Sequence, residues 1–267
     1  MNYLVIKCGG SVLENLPHSF YADVVQLKEE GQWQPVIVHG GGPLINSLLE
    51  KLEIEPKFVD GLRVTTEEVL DVVEMVLSGS VNKQIVRKIA QAGGKALGIS
   101  GVDGGLLLSK PTAKADILGL VGEVIKVNHA QIELISQAGY IPVISPLGID
   151  QHGQRLNING DVAASAVAQS LKAKLCFISD IPGIYVEKDN QKVVLKEISK
   201  SEVEQLIRDQ VIYGGMIPKV KAALDGLAHD VPEVAIINGM DEHSLLDFCQ
   251  GKQVGTKLVV DKEGSHV

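Results

Sequence analysis

Two short apolar runs, each ending in glycines and each followed by a helical pattern, set the tightest limit on how this chain can fold. Leu4-Val5-Ile6 leads into Lys7-Cys8-Gly9-Gly10, with helical periodicity over 18–30. Pro35-Val36-Ile37-Val38 leads into His39-Gly40-Gly41-Gly42, and Pro43 opens a helix carrying Leu44, Ile45, Leu48, Leu49 and Leu52. Proline suits the first helical turn, where its missing N–H costs nothing. Strand–turn–helix units in series predict parallel strands covered by helices. Both glycine turns then sit at the carboxyl edge of the sheet, where ligands bind in open α/β folds. With 45% apolar residues but only 4% aromatic ones, the core must be Val, Ile, Leu and Ala, which suits buried parallel strands.

The pattern continues along the chain. Residues 66–91 read as helix with a break around Gly79. Val69, Leu70, Val72, Val73, Met75, Val76 and Leu77 cover nearly its whole circumference, so this part is either core or an oligomer interface. Strands are predicted at 96–99 and 141–145, a β-ribbon over 106–127 punctuated by Gly104-Gly105 and Gly122, and a helix over 130–137. From Leu147 onward come an extended run into Asp161, an Ala-rich helix to Leu171, a strand at 175–179 and a turn at Asp180-Ile181-Pro182-Gly183. Helices follow at 199–208 and 216–228, then strands at 234–237 and 257–260. The 267 residues allow one domain or two lobes on one continuous sheet, divided as 1–150 and 151–267.

The formal charge of -8 repels nucleic acid and anionic membranes, and it repels ATP at long range as well. An anionic ligand therefore needs local cations and backbone N–H groups, which singles out the lysines beside glycines. Cys8, Cys176 and Cys249 have neither redox-pair nor zinc spacing and read as reduced, buried thiols; Cys8 alone leaves a nucleophilic role open. Only Met1 and Asn2 precede the first strand, with no signal-peptide pattern, and no stretch reaches the ~18 apolar residues of a membrane span. The expected location is cytoplasmic.

Five groups could carry chemistry. Lys7 ends a buried strand beside Gly9-Gly10, which points an ammonium at the ligand edge, although a strand-end lysine on a tight turn is the plainer reading. Three glycines entering a helix at Gly40-Gly41-Gly42 exceed what a turn needs and suggest close backbone contact with an anion at a helix N-terminus; His39 beside them reads as a structural hydrogen-bonding residue. Arg63, after Gly61-Leu62, suits a bidentate carboxylate clamp or a solvated surface position. Asn157 and Asn159 face one side of an extended run, with Gly160 and Asp161 next, in excess of what one helix cap requires. Gly214-Gly215-Met216-Ile217-Pro218-Lys219 sets a cation at a helix start, against the macrodipole, with Lys221 as a competitor. Two lysines, two glycine loops and an aspartate suit phosphoryl transfer, which depends on positioning and cationic stabilisation. The P-loop, dinucleotide fingerprint, H-E-x-x-H, G-x-S-x-G and protein-kinase motifs are absent from the sequence.

Taken together, Lys7-Cys8-Gly9-Gly10, His39-Gly40-Gly41-Gly42-Pro43, Asp60-Gly61-Leu62-Arg63-Val64-Thr65, Asn157-Ile158-Asn159-Gly160-Asp161 and Gly215-Met216-Ile217-Pro218-Lys219 resemble the amino-acid kinase family, from Tyr3 to about Val259. Cys8 stands where a larger apolar residue is common, and Gly160 where alanine is usual. The resemblance implies a three-layer αβα sandwich with a mainly parallel central sheet, of the carbamate kinase-like type. It implies an N-terminal lobe for the amino-acid substrate and dimerisation, and a C-terminal lobe for ATP. The reaction implied is phosphorylation of the γ-carboxylate of N-acetyl-L-glutamate in arginine biosynthesis, with Mg²⁺ carried on the ATP phosphates. Gly9, Gly10, Gly41, Gly42, Arg63, Asn157 and Asn159 would serve the acceptor, Lys7 and Lys219 the transition state, and Asp161 would orient both ammonium groups. Asp180, Ile181, Pro182, Gly183, Ile184, Tyr185, Val211, Ile212, Tyr213 and Met216 would serve the nucleotide. By the same resemblance, an arginine-insensitive homodimer is expected, with the 69–77 helix as its interface. Competing readings are a kinase for protected aminoadipate, aspartate or glutamate, a non-catalytic amino-acid or nucleotide sensor, and a dehydrogenase on a similar sheet.

Overall fold

Alternation along the first strand decides the architecture. Leu4, Ile6 and Cys8 join one buried apolar cluster, while Tyr3 and Val5 join another on the opposite face. A strand buried on both faces must be covered by helices on both, which makes three layers.

A computed structural model of the chain describes residues 2–188, 191–214 and 216–261. Gly215, part of the fifth motif, lies outside the described residues. The main sheet has eight strands, named here in chain order: β1 (Asn2–Cys8), β2 (Trp33–His39), β3 (Ala96–Ser100), β4 (Ile141–Ser145), β5 (Lys174–Ser179), β6 (Glu197–Ser199), β7 (Val234–Asn238) and β8 (Thr256–Val259). Their spatial order is β6-β8-β7-β5-β1-β2-β4-β3, and every pairing is parallel except β7 with β8. The three-layer sandwich on a mainly parallel sheet is as expected.

The chain leaves β1 towards β2 and later returns on its other flank as β5. That reversal opens a crevice at the carboxyl ends of these strands. Register brings Cys8 level with both His39 and Ile178, so the turns that follow all three strands start side by side.

The helices His18–Glu29 and Gly42–Lys51 and the helical run from Glu67 cover one face. The helices His129–Gln137, Gly160–Leu171, Lys200–Arg208 and Met216–Ala228 cover the other. A closed four-stranded barrel sits beside the sheet, made of Leu107–Pro111, Val121–Val127, Leu147–Ile149 and Arg155–Ile158.

Three local expectations are corrected. Gly79 does not break the helix: an α-helix Glu67–Glu74 continues as a π-helix Met75–Val81 and then as an α-helix Asn82–Gln91. The wider turn absorbs the glycine without interrupting the axis. Gly122 lies inside a barrel strand, and the ribbon is divided instead by the short helix Ala115–Leu118 and by Gly119 with φ 69. The apolar residues of the 69–77 segment belong to the chain's own core. Val69, Leu70, Val72, Val73, Val76 and Leu77 are all buried within their own chain, and among the apolar residues of the segment Met75 alone is exposed, at 56%. The hairpin Tyr185–Lys188 with Gln191–Val194, and β6, were not anticipated.

Candidate active site

Lys7 is the sixth residue of a strand run that alternates between the two cores, and it emerges at the crevice only 7% exposed. Its Nζ lies 2.6 Å from Oδ1 of Asp161, a close ion contact off the axis of an aligned hydrogen bond. Asp161 is itself buried near the start of Gly160–Leu171, capped by the Asn159 side chain, whose Oδ1 accepts from the N–H groups of Asp161 and Val162. Asn159 is therefore a helix cap as well as a cavity residue.

Lys219 comes from the first turn of Met216–Ala228 and is 9% exposed. Burial, and next the charge of Lys7, lower its pKa, opposed by Asp161 and Asp180. Its Nζ donates weakly to the Ile178 carbonyl at 3.5 Å. The aspartate thus grips Lys7 only, and Lys219 stands in the same cleft without an ion pair among the described residues. That cleft of about 340 Å³ is lined by Lys7, Gly9, Gly10, Asp161, Asp180 and Lys219, among others.

The first two glycine turns meet backbone to backbone. A Cβ on Gly10 would stand 2.7 Å from Gly42 N and 2.8 Å from Gly41 Cα, so only glycine allows this approach. A Cβ on Gly160 would meet nothing nearer than the His39 carbonyl at 3.4 Å, so alanine fits there. Gly160→Ala, at a helix start with ordinary backbone angles, is expected to raise stability by about 0.5 kcal/mol by restricting the unfolded chain, with kcat unchanged; paired denaturation and turnover measurements check this.

A second cavity, of about 180 Å³, opens on the other side of the Gly40-Gly41-Gly42 turn, lined also by Arg63, Leu77, Asn157, Asn159 and Gly160. Arg63 arrives through the hairpin Phe58–Val59 with Leu62–Arg63, whose Asp60-Gly61 turn has φ 51 and 79. Pairing places Phe58 opposite Arg63, and the guanidinium lies 4.8 Å from the ring centroid. Its Nη2 donates to Asn46 Oδ1 at 2.6 Å, while Nη1 is buried with no hydrogen-bond partner among the described residues. Burial lowers the arginine's pKa. A buried cationic donor without a partner costs several kcal/mol in general, so an anionic group is the natural complement. Asn157 is fixed by a bond from its Nδ2 to Thr65 Oγ1 at 3.0 Å.

A third cavity, of about 590 Å³, holds Ile181, Gly183, Ile184, Tyr185, Val211, Ile212, Tyr213 and Met216, joined by Val186, Glu187 and Gln210. Asp180 instead lines the lysine cleft, and Pro182 lines a separate cavity with Lys196 and Asp241. Thr256 braces this loop, accepting from Ile184 N at 2.8 Å and donating to the Leu195 carbonyl at 2.6 Å.

Shared walls connect the three spaces. Ile181 and Met216 border both the large cavity and the lysine cleft, and Gly42 borders both the lysine cleft and the Arg63 cavity. Gly9 and Gly10 belong to the lysine cleft, not to the Arg63 cavity. Asn46, Phe58, Thr65, Thr256, Glu187 and Gln210 were missed by sequence reasoning. The Asp-Gly turn signal was available and would have set Phe58 against Arg63; Asn46, Thr65 and Thr256 bond residues far away in sequence, and Glu187 and Gln210 adjoin the ends of the two nucleotide stretches.

Cys8 is 1% exposed, and burial pushes its thiol up to about 12, so it supplies no thiolate nucleophile near neutral pH. His39 is fully buried, and desolvation pushes its imidazole down from 6.5 to about 4. Between those values the unfolded chain binds a proton that the native one does not. Stability is therefore lost as pH falls from about 6.5 towards 4 and is untouched above that window. The expected contribution is about 3 kcal/mol, read as a shallower pH dependence of urea unfolding in His39→Asn.

The chain matches the model of the amino acid kinase family over residues 2–238. It is 48% identical over 267 residues to an acetylglutamate kinase of Oceanobacillus iheyensis, covering 100% of both chains. It is 52% identical over 237 residues to an acetylglutamate kinase of Geobacillus kaustophilus, covering 88% of this chain and 90% of that one. Its fold superposes with a TM-score of 0.84 on the crystal structure of smu.665 from Streptococcus mutans, at 31% identity, covering 97% of this chain and 99% of that one.

Proposed function

The chain belongs to the amino acid kinase family, and on that footing we propose that it transfers the γ-phosphoryl group of ATP to the γ-carboxylate of N-acetyl-L-glutamate, giving N-acetyl-L-glutamyl 5-phosphate and ADP in arginine biosynthesis. The observation that carries this reading is the buried, unpartnered Nη1 of Arg63, across the glycine turn from a cleft holding two lysines. An acceptor with two carboxylates satisfies both ends. One carboxylate meets Arg63 and Asn157, and the other reaches the glycine turn facing Lys7 and Lys219.

The nucleotide occupies the cavity of Ile184, Tyr185, Ile212 and Tyr213, with its phosphates running past Ile181 and Met216 into the lysine cleft. The attacking carboxylate is already ionised near pH 7, so no general base is needed. Lys7 and Lys219 neutralise the charge spread over the moving group, and Asp161 holds Lys7 in place. Gly41 and Gly42 offer backbone N–H groups at the N-terminus of Gly42–Lys51, the positive end of its dipole, and Gly9 and Gly10 line the lysine cleft beside them. Among the described residues no three His, Cys, Asp or Glu groups converge, and Asp161 is engaged by Lys7, a donor set that suits Mg²⁺ held by nucleotide phosphates. Bound there, it neutralises phosphate charge.

The division into an acceptor lobe, 1–150, and a nucleotide lobe, 151–267, belongs to the same proposal, with Asn157 and Asn159 reaching across. So does a cytoplasmic homodimer. The edge strand β3, with Leu97 42% exposed, supports a pairing surface there. Sedimentation at micromolar concentration gives twice the chain mass if this holds. Among the described residues no helix is long and apolar enough to cross a membrane.

Hydroxylamine trapping of the acyl phosphate tests the activity. N-acetylglutamate is expected to exceed N-acetylaminoadipate, aspartate and glutamate by more than about tenfold in kcat/KM, the discrimination one methylene can supply. Preference for aminoadipate reassigns the substrate, and no product with any acid leaves a sensor.

A further inference from the structure

Glycine peptides flip easily, so the Gly40–Gly41 peptide needs something to hold it if its N–H is to serve a reaction. The carbonyl side of that peptide is anchored. His39, at the end of β2 and fully buried, lies between the Gly40 carbonyl, 3.1 Å from Nδ1, and the Asn82 side chain, whose Nδ2 is 3.2 Å from Nε2.

The Gly40 carbonyl can only accept, so Nδ1 bears the hydrogen and donates to it, which leaves the Nε2 lone pair facing Asn82. Asn82 Oδ1 accepts from Lys83 Nζ at 2.9 Å, which sets the amide orientation. The two hydrogens of Nδ2 are shared among Nε2 and the carbonyls of Val143 at 2.9 Å and Ile99 at 3.3 Å.

A trans peptide is planar, with its C=O and N–H pointing opposite ways. Holding the Gly40 oxygen against His39 turns the Gly41 N–H outward. That N–H has no acceptor among the described residues, and Gly41 lines the Arg63 cavity. Asn82 follows directly on the π-helix Met75–Val81, whose Leu77 and Val81 pack against Gly41; a Cβ there would meet them at 2.7 and 3.1 Å. The widened turn thus seats both the glycine and the amide that steadies His39.

We propose that His39 and Asn82 are positioning residues that pin the Gly40 carbonyl inward and keep the Gly41 N–H aimed at the reacting carboxylate, a role that rests on the acceptor assignment above. A flipped peptide would aim an oxygen at an anionic acceptor and withdraw a donor from the developing charge.

The test compares His39→Leu, which removes the donor, with His39→Asn, which keeps an N–H near the Nδ1 position. Expected for His39→Leu is a fall in kcat of at least about tenfold, with KM for acetylglutamate and affinity for ATP within about threefold. His39→Asn recovers kcat to within about threefold of the parent. Equal kcat in both folded variants, or a His39→Leu enzyme within about threefold of the parent, overturns the proposal. Should His39→Leu not fold, the ¹⁵N-labelled parent decides: the assigned Gly41 amide proton moves downfield when acetylglutamate, ADP and tetrafluoroaluminate are added. An unmoved Gly41 amide overturns the proposal. Ratios of variant to parent are taken on whichever acid the parent phosphorylates, so a wrong substrate assignment appears in the parent's turnover and not in these ratios.

Discussion

Lys219→Ala is expected to lower kcat by about 10²–10⁴-fold while leaving stability unchanged or slightly raised. Lys219 is buried beside a second ammonium, its pKa is depressed, and its only hydrogen-bond partner among the described residues is a carbonyl at 3.5 Å. Removing it takes away a buried charge that no ion pair among the described residues satisfies. Lys7→Ala is expected to lose as much activity and also to lose stability, by about 3 kcal/mol, because it leaves the buried Asp161 carboxylate without its cation. The two lysines are alike in chemistry, yet only one holds a structural partner. Urea unfolding and steady-state turnover on both variants separate the roles. Equal destabilisation by the two changes contradicts the asymmetric grip of Asp161, and near-parental turnover in either contradicts its place at the moving phosphoryl group.

Gly10→Ala is expected to reduce kcat by about 10²-fold or more and to cost about 1–3 kcal/mol of stability. Its Cβ would stand 2.7–2.9 Å from Gly42 N, Gly41 Cα and Gly41 N, all backbone atoms that cannot rotate away. The loops would have to part, and the lysine cleft and the Arg63 cavity share that turn as a wall. Gly9→Ala is the control: its Cβ would meet nothing nearer than Lys7 Nζ at 3.8 Å, so turnover stays within a few-fold. A Gly10→Ala enzyme as active as Gly9→Ala would show that the contact between the turns does not set the distance between the two cavities.

The strands were legible because short apolar runs ending in glycine or polar turn signals leave few alternatives. Lys7, Asp161 and Lys219 stood out because each follows or precedes a turn that a plain connection does not require. Other features depend on what lies across space. All-round apolarity at 69–77 cannot distinguish a chain's own core from a partner's surface, and here the core claims every apolar residue of the segment but Met75. Gly79 reads as a helix breaker, but a π-turn accommodates it, and that choice is made by packing against Gly41. Pro182 sits between two residues of the nucleotide stretch yet faces another cavity, since neighbours in a turn point in different directions. Asn46 was invisible as a partner for Arg63 because they lie on separate elements, 17 positions apart.

The most direct measurement is a structure with ADP, magnesium, tetrafluoroaluminate and N-acetylglutamate bound. It should find the Nζ atoms of Lys7 and Lys219 each about 3 Å from a fluoride of the phosphoryl mimic, with one substrate carboxylate on Arg63 and the other in line with the aluminium. A complex with either ammonium turned away from the mimic, or with the acceptor seated elsewhere than between Arg63 and the glycine turn, would contradict the mechanism.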